Sequence, residues 1–279
     1  MWAYDFMQNA LIAGILIGSI CGLVSVFVII RRTAFAAHAI SHISITGAAG
    51  GVLIGLSAMT GQLIVNIIAG IAMGLMGDKI KKNDMTIGIV LTFFLGLGVY
   101  FLFLFQNHSA GGVMSILFGN ILAVTQEQIH ILLIICAIII GCFLVIARPL
   151  LFASIDPIIA ESKNIPIRFL SIVFFIILAL TISMACQIVG TMLVFALLVT
   201  PGAIAAQLCD GFYKSMLVSV LSANIAIIAS LIISYEFNLP TSFCITSLMC
   251  LFYFLTYMRN VLVSTPPFIT KFIAKKQHN

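Results

Sequence analysis

Charge is what this sequence has least of. Only 8% of its 279 residues are Asp, Glu, Lys or Arg and 62% are hydrophobic, whereas a soluble domain carries roughly 25% charged residues. That leaves too little polar surface to coat a globule in water and makes lipid the solvent. Backbone groups in hydrocarbon need internal partners, so only helices or a closed barrel can span it. Barrel strands would alternate polar and apolar residues. Stretches such as Leu11–Ile30 and Ile129–Ala147 are apolar on every side and have the roughly 20-residue length of a spanning helix. The fold class is therefore all-α, a polytopic bundle of transmembrane helices.

Other absences narrow the function. There is no Gly-x-x-x-x-Gly-Lys-[Ser/Thr] segment, so ATP cannot be bound through a P-loop of the chain's own. No Gly-x-Ser-x-Gly nucleophile motif occurs. The His38-x-x-x-His42 pair lacks the glutamate after the first His that zinc proteases use as general base. An enzyme has no support here. The seven cysteines (21, 136, 142, 186, 209, 244 and 250) show no CxxC spacing and read as packing residues rather than redox or metal groups. Most of the eight acidic residues sit at loops or span ends. An ion-coupled secondary metal transporter, the rival class, would want carboxylates within the spans. The N-terminus has no positive region ahead of its apolar run; only Asp5 is charged there, and Arg31-Arg32 follow. The first segment is expected to remain as a helix with its N-terminus outside, not to be cleaved as a signal peptide.

The thirteen basic residues sort by position into Arg31-Arg32; Lys79, Lys81, Lys82; Arg148, Lys163, Arg168; Lys214; Arg259; and Lys271, Lys275, Lys276. By the positive-inside rule each cluster is cytoplasmic, which accounts for the net charge of +5 without a nucleic-acid partner. Turn-like breaks at Met59–Gln62, Gln187–Gly190 and Glu236–Pro240, with a longer outside segment over Gln106–Gln128 containing His108, divide the intervening stretches. The expected count is about eight to nine spans, N-terminus outside and C-terminus cytoplasmic. The outside turn within Phe169–Leu208 is so short that the helices there could be broken or re-entrant. Residues 1–264 form one transmembrane domain and 265–279 a basic cytoplasmic tail; the chain is expected as a multi-pass protein of the cell membrane, surrounded by lipid.

Within the spans, glycines recur in steps of four: Gly14, Gly18, Gly22; Gly47, Gly51, Gly55; Gly70, Gly74. Such ridges let helices approach closely. Asn66, Gln187 and Asn224 read as interhelical hydrogen-bonders. In the longest internal cytoplasmic loop, Asp156 can cap a helix, Pro157 suits its first position, and Asn164 and Pro166 can end it. A helix of about two turns is predicted, either an ordinary structured loop or, with apolar residues flanked by charges, a docking element for a cytoplasmic partner.

His38 and His42 are four apart, so they share one helix face about 40° apart. Gly47, Gly51 and Gly55 fall on the opposite side. Ionisable side chains inside a membrane are costly and usually face a cavity or pathway. Two neutral imidazoles can share a transition-metal ion, and an incomplete ligand set suits transport because it lets go. The alternative is a pair of core histidines bonded to carbonyls or to Ser41 and Ser44.

The segment Val28–Phe35 followed by His38-Ala39-Ile40-Ser41-His42 and Gly47 resembles the start of the zinc/manganese-type ABC importer permeases. So do Leu117–Leu122, Asp156-Pro157 with Ala160, and the run from Gly190-Thr191-Met192-Leu193-Val194 to Thr200-Pro201-Gly202-Ala203. The matches are in order over about residues 6–260. The resemblance implies a permease importing a divalent transition metal, with zinc first and manganese or iron as further candidates. It also implies a second copy of the chain, a separate cytoplasmic ATP-binding subunit, and an extracytoplasmic metal-binding protein. No permanently bound cofactor is expected beyond the transported ion. With the spacing argument, the resemblance points to His38 and His42 as the metal residues, and it implies that Asp156, Pro157, Ile158, Ile159, Ala160 and Glu161 form the segment that meets the ATPase. His42 matches the family's histidine, whereas family members usually carry an acidic residue, most often Asp, where this chain has His38; imidazole for carboxylate softens the site towards zinc.

Overall fold

The computed structural model describes residues 5–76, 84–106, 119 and 121–263, and among them it contains helices and connecting turns only. The helices are α1 (Asp5–Ile30), α2 (Ala34–Leu53), α3 (Ala58–Met76), α4 (Asp84–Gln106), α5 (Gln126–Ile155), α6 (Pro157–Ser162), α7 (Ile167–Val189), α8 (Thr191–Leu208), α9 (Phe212–Phe237) and α10 (Thr241–Val263). A 3-10 turn, Ile121–Ala123, precedes α5. Seven of them are long and apolar enough to cross a bilayer, which agrees with a multi-pass bundle. α2 and α8 are long helices of the same bundle and fall outside that count; the α2 stripe holds His38, His42, Ser41 and Ser44, which lowers its hydropathy. The expected basic cluster Lys79, Lys81, Lys82, the outside residues Asn107–Gly112 with His108, the Leu117, Phe118 and Asn120 positions, and the tail with Lys271, Lys275 and Lys276 lie outside the described residues.

Local chemistry makes the turns. Arg32 adopts φ 56°, in the left-handed region, and reverses the chain between α1 and α2. Gly190 at φ 97° separates α7 from α8, at the expected place and with no room for a longer loop. Asn238 at φ 52° ends α9 just before Pro240, also as expected. Thr125 starts α5 with a capping box, its hydroxyl accepting from the Gln128 N–H while the Gln128 side chain accepts from the Thr125 N–H.

The turn between α2 and α3 departs from the sequence reading. Met59–Gln62 is not the break but the first turns of α3; the break is at 54–57. Gly55 takes φ 82° there, and a Cβ added to it would meet nothing within 4 Å, so it is a turn residue and not the third member of a packing ridge. Ser57 Oγ accepts from the Thr60 N–H at 3.2 Å and starts α3. Gly61 is then needed inside α3 as a contact. A Cβ on Gly51 would lie 2.7 Å from the Gly61 Cα, so the two helices touch backbone to backbone.

The remaining ridges pack as expected. Gly14, Gly18 and Gly22 face Ile227, Asn224 and Val220 of α9, and Gly70 and Gly74 face Phe175 and Ile172 of α7. α1 is central, packed by α5, α7, α8 and α9. Its fully buried Phe27 meets Phe143, Phe174 and Phe212 with ring centroids 5.2, 6.4 and 5.4 Å away. α4 packs chiefly on α2, and α10 on α8 and α9. This arrangement sets the histidine-bearing α2 between α3, α4, α7 and α8.

Candidate ion pathway and docking segment

The two histidines meet as their spacing requires. Their ring centroids are 4.5 Å apart at 83°, both side chains are half-buried, and each Nδ1 is shut off from solvent without a hydrogen-bond partner. Ser41 and Ser44 direct their hydroxyls to backbone carbonyls, Ser41 to that of His38 at 2.7 Å and Ser44 to that of Ile40 at 3.1 Å. A buried polar atom without a partner calls for a ligand or water, and two such atoms on adjacent imidazoles could be satisfied by one shared ion. Among the described residues no group of three or more His, Cys, Asp or Glu side chains is placed to hold a metal. The described carboxylates Asp5, Asp84, Glu127, Asp156, Glu161, Asp210 and Glu236 all lie in end turns or connections of the helices.

Beside the pair, on the glycine side of α2, a neutral polar junction holds three helices. Asn66 of α3 is fully buried and donates its amide to Ser44 Oγ at 2.6 Å and to Ser183 Oγ of α7 at 2.8 Å. Asn224 of α9 donates to Ser19 Oγ of α1 at 3.1 Å. Both asparagines thus act as the interhelical bonders expected of them. Gln187 lines a cavity of about 220 Å³ with Gln62, Gln128 and Cys186.

His38 also meets Phe195 of α8, its ring centroid 4.8 Å away at 67°. Nothing in the sequence pointed to that residue, because helix periodicity is local and the contact is made by packing α8 against α2. Arg31 was legible only as a topology signal; it is in fact buried, with its guanidinium 5.0 Å from the centre of the Phe174 ring.

The segment from Asp156 to Pro166 forms as its residues direct. Asp156 Oδ1 accepts from the Ile159 N–H at 3.1 Å and Pro157 takes the first helical position of α6. Ile165 N–H closes onto the Ala160 carbonyl at 3.1 Å, with Asn164 at φ 56°, and so ends the helix. Ala160 is fully buried and seats α6 on the bundle, while Ile159 is 47% exposed and Glu161 is exposed. The side chains of Pro157 and Ile158 lie outside the described set.

A model of the ABC 3 transport family matches residues 3–260. The chain is 31% identical over 255 residues to the manganese import system permease protein ScaB of Streptococcus parasanguinis, covering 91% of this chain and 90% of that one. It is 30% identical over 256 residues to the manganese transport system membrane protein MntC of Listeria innocua, with 91% of each covered. Among solved structures, PsaBC from Streptococcus pneumoniae in complex with Fab superposes with a TM-score of 0.81 at 29% identity, over 92% of both chains.

Proposed function

From the premise that this chain belongs to the ABC 3 transport family and is a multi-pass membrane permease of a metal-importing ABC transporter, not an enzyme, we propose how it carries out import. Two copies of the chain surround an ion path, a separate cytoplasmic ATPase docks on α6, and an extracytoplasmic protein delivers the ion. His38 and His42 form the ligand step within the span. The observation that carries this reading is the pair of partnerless, buried Nδ1 atoms on one face of α2.

The cargo is a divalent first-row transition ion. The names of the relatives support manganese. The expectation of zinc rests on donor chemistry alone: two imidazoles and no carboxylate suit zinc better than manganese. That specific observation keeps zinc as the second reading.

Uptake of zinc, manganese and iron by cells with and without this chain tests the cargo, with the amount of assembled permease measured for each variant. His38→Ala and His42→Ala are expected to abolish uptake at unchanged protein level. His38→Asp, which restores an oxygen ligand, is expected to keep transport and to favour manganese more than the parent does. Alanine variants that transport at the parental rate would show that the ion passes elsewhere.

A further inference from the structure

His38 meets two rings, His42 on its own helix and Phe195 on α8. We propose that Phe195 is a positioning residue that sets metal selectivity: from α8 it walls the His38 imidazole, fixes its orientation and keeps water from completing the ion's coordination shell. This rests on the reading of His38 and His42 as the ligand step.

The placement of Phe195 is secured by its helix. Downstream, the Gly202 N–H donates to Ser25 Oγ of α1 at 2.7 Å. A Cβ at Gly202 would sit 2.6 Å from the Ser25 carbonyl oxygen, so the α1–α8 crossing leaves no slack. Further along, Gln207 accepts from Thr256 and Asn260 of α10 at 2.9 and 3.0 Å. Upstream, Gly190 at φ 97° starts the helix within one residue of α7. α8 is thus held at both ends, and Phe195 lies between the anchors, facing α2.

The chemistry follows from coordination number. Zinc is content with four ligands, commonly imidazole among them, whereas manganese belongs with the ions that favour octahedral oxygen shells. An aromatic ring against the His38 imidazole supplies no oxygen ligand and takes volume that water ligands would need. It therefore favours the ion of low coordination number. Removing the ring admits water and shifts preference towards manganese, whichever ion the parent prefers. Hydrogen-bonding groups behind a metal-binding histidine change metal affinity by about 10- to 100-fold when removed; a ring that packs without a hydrogen bond acts at the low end, so a shift on the order of tenfold at most is expected.

The test uses the whole transporter, permease with its ATPase and metal-delivering protein, in proteoliposomes. Two quantities are read for the parent, Phe195→Ala and Phe195→Leu. One is the ratio of zinc to manganese uptake per assembled transporter. The other is the rate at which diethylpyrocarbonate modifies His38 relative to His42, followed by mass spectrometry without metal. Phe195→Ala is expected to move the ratio towards manganese and to speed His38 modification several-fold. Phe195→Leu keeps apolar volume but loses the ring; it should move both the same way by less, and it carries the test if the alanine variant does not assemble. An unchanged uptake ratio, or unchanged His38 reactivity, in a variant that assembles overturns the inference. Parental uptake by His38→Ala and His42→Ala would instead overturn the reading on which it rests, a result independent of the Phe195 measurements.

Discussion

Arg31 donates from Nη2 to the hydroxyl of Ser171 at 2.6 Å, which ties the junction of α1 and α2 to the early turns of α7. The contact is buried, and the same guanidinium lies over the Phe174 ring. A cation at this depth is tolerated because it is bonded and stacked. Arg31 also leads directly into α2, so the contact fixes where the histidine helix begins.

Ser171→Ala removes an acceptor from that buried cation and should cost about 1–3 kcal/mol. Arg31→Lys should not restore the parent, because a lysine lacks the planar fork and stacks less well. Thermal unfolding of the purified permease in detergent checks both. A Ser171→Ala variant that melts with the parent would show that the contact contributes nothing to stability.

The glycine ridges predict opposite outcomes for one substitution type. A Cβ at Gly22 would lie 2.7 Å from the Val220 Cα, and backbone cannot swing aside. Gly22→Ala is therefore expected to destabilise by about 1–3 kcal/mol, as overpacking does. Gly96 sits in the middle of α4, where an added Cβ would meet nothing within 4 Å. Gly96→Ala should be neutral or stabilising by up to about 1 kcal/mol, from helix propensity alone. Equal melting shifts for the two would count against a contact role for the ridge.

Orientation is tested by labelling single cysteines on a cysteine-free background. Positions 163 and 214 should react only after the membrane is permeabilised, and position 236 should react in intact cells. Labelling of position 163 from outside would reverse the proposed topology.

The docking role of α6 is tested by separating fold from contact. Asp156→Ala removes the cap of a short helix and should cost about 1 kcal/mol of local stability. Ile159→Asp puts a charge on a side chain that is already exposed, so the permease should insert and fold while losing stimulation of its ATPase. Normal assembly and ATP turnover by Ile159→Asp would assign α6 to loop structure alone.

Much of this protein is determined by the sequence itself, because the relevant physics is local or compositional. The scarcity of charge makes lipid the solvent. Apolar runs of fixed length become helices, since hydrocarbon offers backbone groups no other partner. Asp156, Pro157 and Asn164 define α6, and Gly190 and Asn238 end helices, because caps and left-handed residues act within one turn. The four-residue spacing puts His38 and His42 on one face by helix geometry alone. What tertiary structure decided is what depends on a partner helix. Gly55 and Gly61 lie only six residues apart, yet one makes a turn and the other a backbone contact, because only the approach of α2 to α3 distinguishes them. Arg31 carries the same charge as the other basic residues, but Ser171 and Phe174, brought close by the packing of α7, let it be buried. Phe195 is one of 22 phenylalanines; it meets His38 because α1 and α10 hold α8 in place against α2. Periodicity reveals which face a residue takes on its own helix, and it carries no information about what that face will touch.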